Sequence, residues 1–358
     1  MKNDQRFMAL ALGLASRGLG RTWPNPAVGC VIVKDDRIVG RGWTQPGGRP
    51  HAEPIALAQA GKAAAGATVY VTLEPCSHHG KTPPCAEALI RANVGRVVIA
   101  ITDPDPRVSG RGIAMLEAAG VSVTTGILVD EATRANEGFL SRITTGRPFV
   151  TLKLASSFDG RIATQMGDSQ WITGSRARRV VHAMRAQHDA VLVGGGTLRA
   201  DDPSLTVRDM GINQQPLRVV ISRDGALPEG CKLAQTAKEI PVLILHSLNA
   251  PVHPEQQGVT RIQVPMSGDV IDVRVALQEL GKFGLTRVFC EGGGHLASSL
   301  LRAGLVDELV GFTAGVVIGG DGLPSIASLD VLNLKDAPRF TFDRIEKIDS
   351  DILHVWRC

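Results

Sequence analysis

Apolar positions in the first third of the chain fall into short alternating runs separated by stretches of helical period. From about Asp4 to Arg17 the apolar residues recur on one face, which predicts an amphipathic helix. Val28–Val33 and Arg37–Trp43 read as strands, with Asp35-Asp36 between them as a hairpin turn. His51–Ala60 reads as a helix, and Thr68–Leu73 as a strand alternating around Val69, Val71 and Leu73. Pro84–Asn93 predicts a helix with proline at its first turn. Arg96–Ile101 reads as a buried strand, broken by Asp103-Pro104-Asp105-Pro106. A helix follows to Ala119, stopped by Gly120, and then a strand over Val121–Thr125. This alternation predicts a three-layer α/β domain.

Thr144, Thr145, Gly146 and Pro148 cluster within Phe139–Pro148, and the domain boundary is placed there, dividing the chain into 1–146 and 147–358. The pattern then restarts. Strands are expected at Phe149–Leu154, Ala190–Val193, Leu217–Ile221, Pro241–His246, Arg287–Cys290 and Glu308–Thr313. Helices are expected near Ser175–Gln187, Val270–Phe283 and Leu296–Ala303, and Phe340–Trp356 alternates like strands.

Composition narrows the partners. A net charge of +4 and 4% aromatic residues are too little for a nucleic-acid platform, and suit a small phosphorylated ligand. No apolar run is long enough to span a membrane, and Asp4 argues against a leader at the N-terminus. The six cysteines carry no dense spacing pattern, so reduced thiols in a cytoplasm are expected.

Two of those cysteines carry chemistry. His51-Ala52-Glu53 opens a helix, Glu74-Pro75-Cys76 ends a strand, and Cys85 opens the next helix. Two thiolates and a neutral imidazole hold one Zn²⁺ and leave a fourth position for water. Glu53, two residues from His51, reaches the metal's surroundings as a proton carrier. His-x-Glu followed by Pro-Cys is the arrangement of zinc deaminases. The usual second element is Cys-x-x-Cys, whereas eight residues separate Cys76 from Cys85. His78 and His79 are further ligand types. A fourth protein ligand would close the water position, so they read as loop residues. Cys30, Cys231, Cys290 and Cys358 read as small buried residues or exposed bystanders.

In the second half, Gly292-x-Gly294-x-x-Ala297 follows a strand and opens a helix, and Gly194-Gly195-Gly196-Thr197 follows another. Each suits either a pyrophosphate or a close helix–strand contact. No acidic residue stands about twenty residues after a first strand–helix turn, so the usual NAD signal is absent.

Longer motifs carry a resemblance. Pro24-Asn25-Pro26-x-Val28-Gly29 is one, and Glu74-Pro75-Cys76-Ser77-His78-x-Gly80-Lys81-Thr82-Pro83-Pro84-Cys85 another. Asp103-Pro104-Asp105-Pro106-Arg107-Val108-Ser109-Gly110-Arg111-Gly112 is a third. The second half adds Leu152-Lys153-x-Ala155-x-Ser157-x-Asp159-Gly160, Ser169-Gln170-Trp171-Ile172-Thr173-Gly174 and Asp201-Asp202-Pro203-x-Leu205-Thr206-Val207-Arg208. Together they resemble the bifunctional deaminase/reductase family of riboflavin biosynthesis, whose long intercysteine loop this chain shares.

The resemblance implies a cytidine-deaminase-like first domain and a dihydrofolate-reductase-like α/β second domain. It implies deamination of a phosphoribosylamino diaminopyrimidinone, then reduction of its ribosyl arm by NADPH. It places NADPH against Ala155, Trp171, Thr197, Asp201 and the turn Gly293, Gly294, His295, Leu296, Ala297, Ser298 and Ser299. It places substrate against Asn25, Ser169, Arg185, Leu205, Arg208 and Glu291, and it implies a dimer through the second domain. Arg185 and Arg208 suit a sugar phosphate, because guanidinium pairs bidentately with it. Lys153 and Glu291 are expected to deliver a proton and stabilise charge during hydride transfer to C1′. A tRNA adenosine deaminase is disfavoured by the intercysteine spacing and low aromatic content. An idle regulator is disfavoured by the complete zinc set.

Overall fold

The computed structural model describes residues 2–79, 83–106 and 108–358. Gly80, Lys81, Thr82 and Arg107 of the quoted motifs lie outside the described residues. The chain forms two compact units, Met1–Gly146 and Arg147–Cys358.

The first unit is built on five strands in the order Arg37–Trp43, Gly29–Lys34, Thr68–Leu73, Arg96–Ile101, Ser122–Thr125. The first two pairings are antiparallel and the last two parallel. Strand alternation divides the apolar residues between the two faces. Cys30, Ile32, Val69, Val71, Val97 and Ile99 face one cluster with Ala52, Ala56 and Leu89. Val31, Val33, Tyr70, Val98 and Ala100 face the other with Phe7, Met8, Ala11 and Leu14. The helix Ala52–Ala60 lies directly on Arg37–Trp43. Gly42 permits this, since a Cβ there would stand 2.0 Å from the Ala52 carbonyl oxygen.

One helix went unpredicted: Val129–Thr145 runs through the first part of the boundary segment and is closed by Gly146 at φ 76°. Its sparse apolar residues, internal Gly138 and terminal Thr144-Thr145 weaken the helical signal. Packing supplies the missing stability, with Ala132 and Phe139 both buried.

The second unit carries a nine-stranded sheet. Its order is Val259–Val264, Val242–Ser247, Leu217–Ser222, Ala190–Gly194, Arg287–Cys290, Phe149–Ser156, Glu308–Thr313, Asp351–Arg357, Thr341–Ile348. All pairings are parallel up to Glu308–Thr313, and the last two strands run antiparallel. Val259–Val264 went unpredicted because Thr260, Arg261 and Gln263 interrupt its apolar run. The helix expected from Val270 begins at Val273, where the Asp272 carboxylate accepts from the amides of Arg274 and Val275. Val270–Ile271 instead pairs with Met266–Ser267. In such sheets the crevice beyond the carboxyl ends of the strands is where ligands bind. Gly194 and Glu291 stand at or just past those ends, and Lys153, inside Phe149–Ser156, is one residue beyond the pairing of Leu152 with Cys290.

A candidate metal centre and a second charged cluster

His51 is the N-cap of Ala52–Ala60, in extended conformation, and Cys85 is the first residue of Cys85–Arg91. Cys76 lies just beyond the strand Thr68–Leu73. These three turns bring His51 Nδ1 to 3.7 Å from Cys76 Sγ and 3.4 Å from Cys85 Sγ. All three ligand atoms lie within 4.8 Å of one another. A tetrahedral ion bound by sulfur and nitrogen has ligand–ligand edges of roughly 3.5 Å, so the donor set fits zinc. The Cys85 amide, at a helix start, donates to Cys76 Sγ at 3.3 Å.

The electrostatics suit the same reading. The Cys76 thiol is drawn down to about 4, first by hydrogen bonding from Cys85 and then by His51, against the cost of its burial. Cys85 is pushed up by its side-chain bond with Cys76 and by burial. The pair thus shares one proton that a metal would displace. Glu53 is 3% exposed, and burial, then the Cys76 thiolate, push its carboxyl up to about 7.

A cleft of about 320 Å³ opens over these residues. Asn25 lines it and donates through Nδ2 to the Gly48 carbonyl at 2.9 Å. His78 also lines it, while His79 turns out to an exposed ion pair with Glu87 at 3.3 Å. Neither belongs to the ligand cluster. Among the described residues, His78 Nδ1 and Ser77 Oγ are buried without a hydrogen-bond partner.

Glu74 was missed as a functional residue. Its buried carboxylate accepts from four backbone amides: Asp103 at 3.2 Å, Gly110 at 3.1 Å, Gly112 at 2.9 Å and Ile113 at 3.3 Å. It thereby holds the segment that brings Asp103, Asp105 and Val108 to the cleft wall. Gly112 is obligatory there, because a Cβ would stand 2.1 Å from the Pro75 carbonyl oxygen.

The second unit gathers a different cluster. Arg185 Nε is 2.5 Å from Glu291 Oε1, and Arg185 Nη2 is 3.1 Å from Oε2. Lys153 Nζ approaches the same carboxylate at 3.7 Å. Burial would raise Glu291, but Arg185 and Lys153 outweigh it and hold the carboxyl below its usual range. Arg185 Nη1 also donates to the Thr206 carbonyl at 2.8 Å. Its guanidinium, expected to meet a phosphate, is thus the partner of Glu291. Arg208 is tied nearby through its amide, 3.3 Å from His182 Nδ1.

The two glycine turns meet where the Gly293 amide donates to Thr197 Oγ1 at 3.1 Å. Asp201, at the exposed end of Gly195–Asp201, is within reach of the Lys153 charge. Gly293 is the N-cap and Gly294 the first residue of Gly294–Arg302. Ser298 and Ser299 donate to the His295 carbonyl, each at 2.9 Å. Several expected contact residues present little side chain. Leu296, Ala297 and Ser298 are buried, so this turn offers mainly backbone. Leu205, expected against substrate, is buried beside Leu198 and Val220 in left-handed backbone at φ 55°. Ala155 packs partly against the core. Ser169 is half-buried, and Trp171 is 67% exposed beneath the Arg178 guanidinium, 4.2 Å from its ring centre.

Comparison with known proteins identifies the family. Residues 1–101 match the cytidine and deoxycytidylate deaminase zinc-binding region, and residues 148–354 match the RibD C-terminal domain. The riboflavin biosynthesis protein RibD of Escherichia coli strain K12 is 44% identical, over 98% of this chain and 99% of that one. The chain belongs to the RibD family. RibD of Acinetobacter baumannii superposes with a TM-score of 0.90 at 41% identity, covering 99% of both chains. The Thermotoga maritima structure described as a diaminohydroxyphosphoribosylaminopyrimidine deaminase/5-amino-6-(5-phosphoribosylamino)uracil reductase does so at 0.87 and 37%, again over 99% of both. As a RibD-family protein the chain is a bifunctional enzyme of riboflavin biosynthesis. It has a zinc-binding deaminase domain and a nicotinamide-dependent reductase domain. No helix among the described residues is long and apolar enough to cross a membrane.

Proposed function

We propose that residues 1–146 hydrolyse the 2-amino group of 2,5-diamino-6-(5-phosphoribosylamino)pyrimidin-4(3H)-one. Residues 147–358 then reduce the ribosyl arm of 5-amino-6-(5-phosphoribosylamino)uracil to ribityl with NADPH. The observation that carries the first half is Glu53, buried against three convergent ligand atoms and pushed up to about 7. His51, Cys76 and Cys85 would hold the zinc, which when bound would make water acidic enough to attack near neutral pH. Glu53 takes one proton from the attacking water and passes it to the ring nitrogen, then carries the second, from the added hydroxyl, to the departing amine. Water is consumed and ammonia leaves. Asn25 orients the ring from the cleft wall.

In the second half, a reduced nicotinamide, when bound, would supply hydride to C1′ of the iminium formed as the exocyclic nitrogen opens the sugar. Lys153 delivers a proton to the ring oxygen released on opening, and Glu291, kept ionised by Arg185, stabilises the positive charge of the opened form. The backbone turn from Gly293 to Ser299, with Ala155, Trp171, Thr197 and Asp201, receives the nucleotide. Ser169, Leu205 and Arg208 meet the substrate, and Arg208 takes its phosphate. We assign the enzyme to the cytoplasm, and expect it to dimerise through the reductase unit.

Zinc-loaded protein given the diaminopyrimidinone and NADPH is expected to release ammonia and oxidise NADPH, with NADH slower. Ammonia without oxidation would refute the assignment of the second unit. Neither signal would refute the substrate.

A further inference from the structure

The two clusters leave the run Ser157-x-Asp159-Gly160 without a role. Asp159 lies just beyond the strand Phe149–Ser156, which carries Lys153 and Ala155. Its carboxylate accepts from the buried Ser157 hydroxyl at 2.6 Å. It also accepts from two backbone amides far along the chain, Ile318 at 3.2 Å and Gly319 at 2.7 Å. Ser157 Oγ in turn accepts from the Arg161 amide at 2.9 Å, which fixes the turn. The Ser157 hydroxyl, then the Gly319 amide, hold the Asp159 carboxyl down to about 2. The group is therefore ionised wherever an enzyme of this kind works.

Residues 315–327 are held by polar ties rather than by burial. The segment contains Gly315, Gly319, Gly320 and Gly322, and its Val316 and Val317 side chains are exposed. The Phe158 amide donates to the Val316 carbonyl at 2.7 Å, and the Ser325 amide to the Gly160 carbonyl at 2.9 Å. Leu323–Pro324 pairs with Arg161–Ala163. Among these ties Asp159 supplies the charge-assisted ones, which are the stronger kind.

The far end of the segment rests on the turn proposed to receive the nucleotide. The Ala327 amide donates to the Gly294 carbonyl at 3.1 Å. A Cβ on Gly294 would stand 2.7 Å from the Pro324 carbonyl oxygen. Gly292, Gly293 and Gly294 give that turn wide backbone freedom. Thr197 ties it at Gly293, and residues 315–327 tie it at Gly294. Backbone that must meet a pyrophosphate binds it well only when it is held in place beforehand.

Resting on the nucleotide reading above, we propose that Asp159 is a positioning residue of the nucleotide site. It latches residues 315–327 against the first turn of Gly294–Arg302 and so holds the backbone that receives the pyrophosphate of NADPH. The latch acts through the segment, and Asp159 itself need not touch the nucleotide.

The test compares parent, Asp159→Asn and Ser157→Ala proteins as full chains. NADPH is titrated by its fluorescence without substrate, and hydrogen exchange is followed at Ile318 and Gly319. The asparagine variant keeps the size of the side chain and loses the charge. It is expected to bind NADPH about tenfold more weakly and to exchange both amides about tenfold faster. In turnover the loss falls on KM for NADPH, while KM for the aminouracil and ammonia release stay within about twofold of the parent. Ser157→Ala shifts NADPH affinity the same way by a smaller factor. Parent affinity for NADPH in the asparagine variant would overturn the proposal, and so would equal losses in affinity for NADPH and aminouracil. Should the asparagine variant fail to fold, an unchanged NADPH affinity in Ser157→Ala would overturn it equally. A parent that does not bind NADPH refutes the nucleotide reading itself, and the proposal with it.

Discussion

Glu53 and Glu291 are both enclosed by protein, and the two units treat them in opposite ways. Glu53 is 3% exposed, with a thiolate among its principal neighbours, and its carboxyl rises to about 7. The side chain of Glu291 is 10% exposed, yet two cations hold its carboxyl down. Burial acts in the same direction on both. What differs is the company, and the company decides the task. A carboxyl poised near neutrality passes protons, whereas one kept ionised stabilises positive charge.

The strongest way to break the comparison is Glu53→Gln. It removes the proton carrier and leaves the ligands, so ammonia release should fall by about a thousandfold while metal analysis still finds one zinc per chain. Loss of zinc, or a fall below tenfold, would contradict the proton-carrier role.

Arg185→Ala sharpens the other side. Removing the guanidinium raises Glu291, which then binds its proton at higher pH. The acid limb of the pH profile for reduction should move upward, and the rate at neutral pH should drop by about ten- to a hundredfold. An unmoved acid limb would show that Glu291 does not act in its ionised form.

Gly112→Ala probes the support of the first cluster alone. A Cβ 2.1 Å from the Pro75 carbonyl forces the segment held by Glu74 to shift. Destabilisation of about 1–3 kcal/mol in denaturant titrations is expected, with ammonia release impaired and reduction intact. Equal loss of both activities would argue against a local effect.

The smallest effect concerns stability of the second unit. His188 is buried, bonded to the Met184 carbonyl at 2.7 Å and placed 3.1 Å from Thr151 Oγ1, and burial depresses it to about 3. The unfolded chain binds this proton near pH 6.5 and the folded one does not, so stability is present above that value and is lost as pH falls. Between pH 7 and pH 5 the loss amounts to about 2 kcal/mol. Asp189 beside it, raised by burial, works in the opposite sense. His188→Asn should therefore flatten the acid slope of unfolding, and an unchanged slope would assign it elsewhere.

The two clusters were not equally legible in the sequence. His51, Glu53, Cys76 and Cys85 stand at local strand-to-helix turns, where residue type and spacing already state the chemistry. Glu74 stood in the same run, but its partners are backbone amides 29 to 39 residues downstream, which no side-chain pattern reveals. The pairing of Arg185 with Glu291 joins residues 106 positions apart, so each looked like an independent substrate contact. Val129–Thr145 was invisible because its stability comes from packing. In the turn Gly293–Ser299, proposed to receive the nucleotide, Leu296, Ala297 and Ser298 are buried, so it offers mainly backbone, which residue type alone does not reveal. Most strand positions were readable from alternation. The order of the nine strands was not, since parallel neighbours are set by long connections.

The two glutamates are assigned to separate, ordered steps. The most direct measurement is NADPH oxidation by the Glu53→Gln protein, offered first the diaminopyrimidinone and then the deaminated aminouracil. No oxidation is expected with the first, and the parent rate with the second. Oxidation with the undeaminated compound, or failure with both while the protein remains folded, would contradict that assignment.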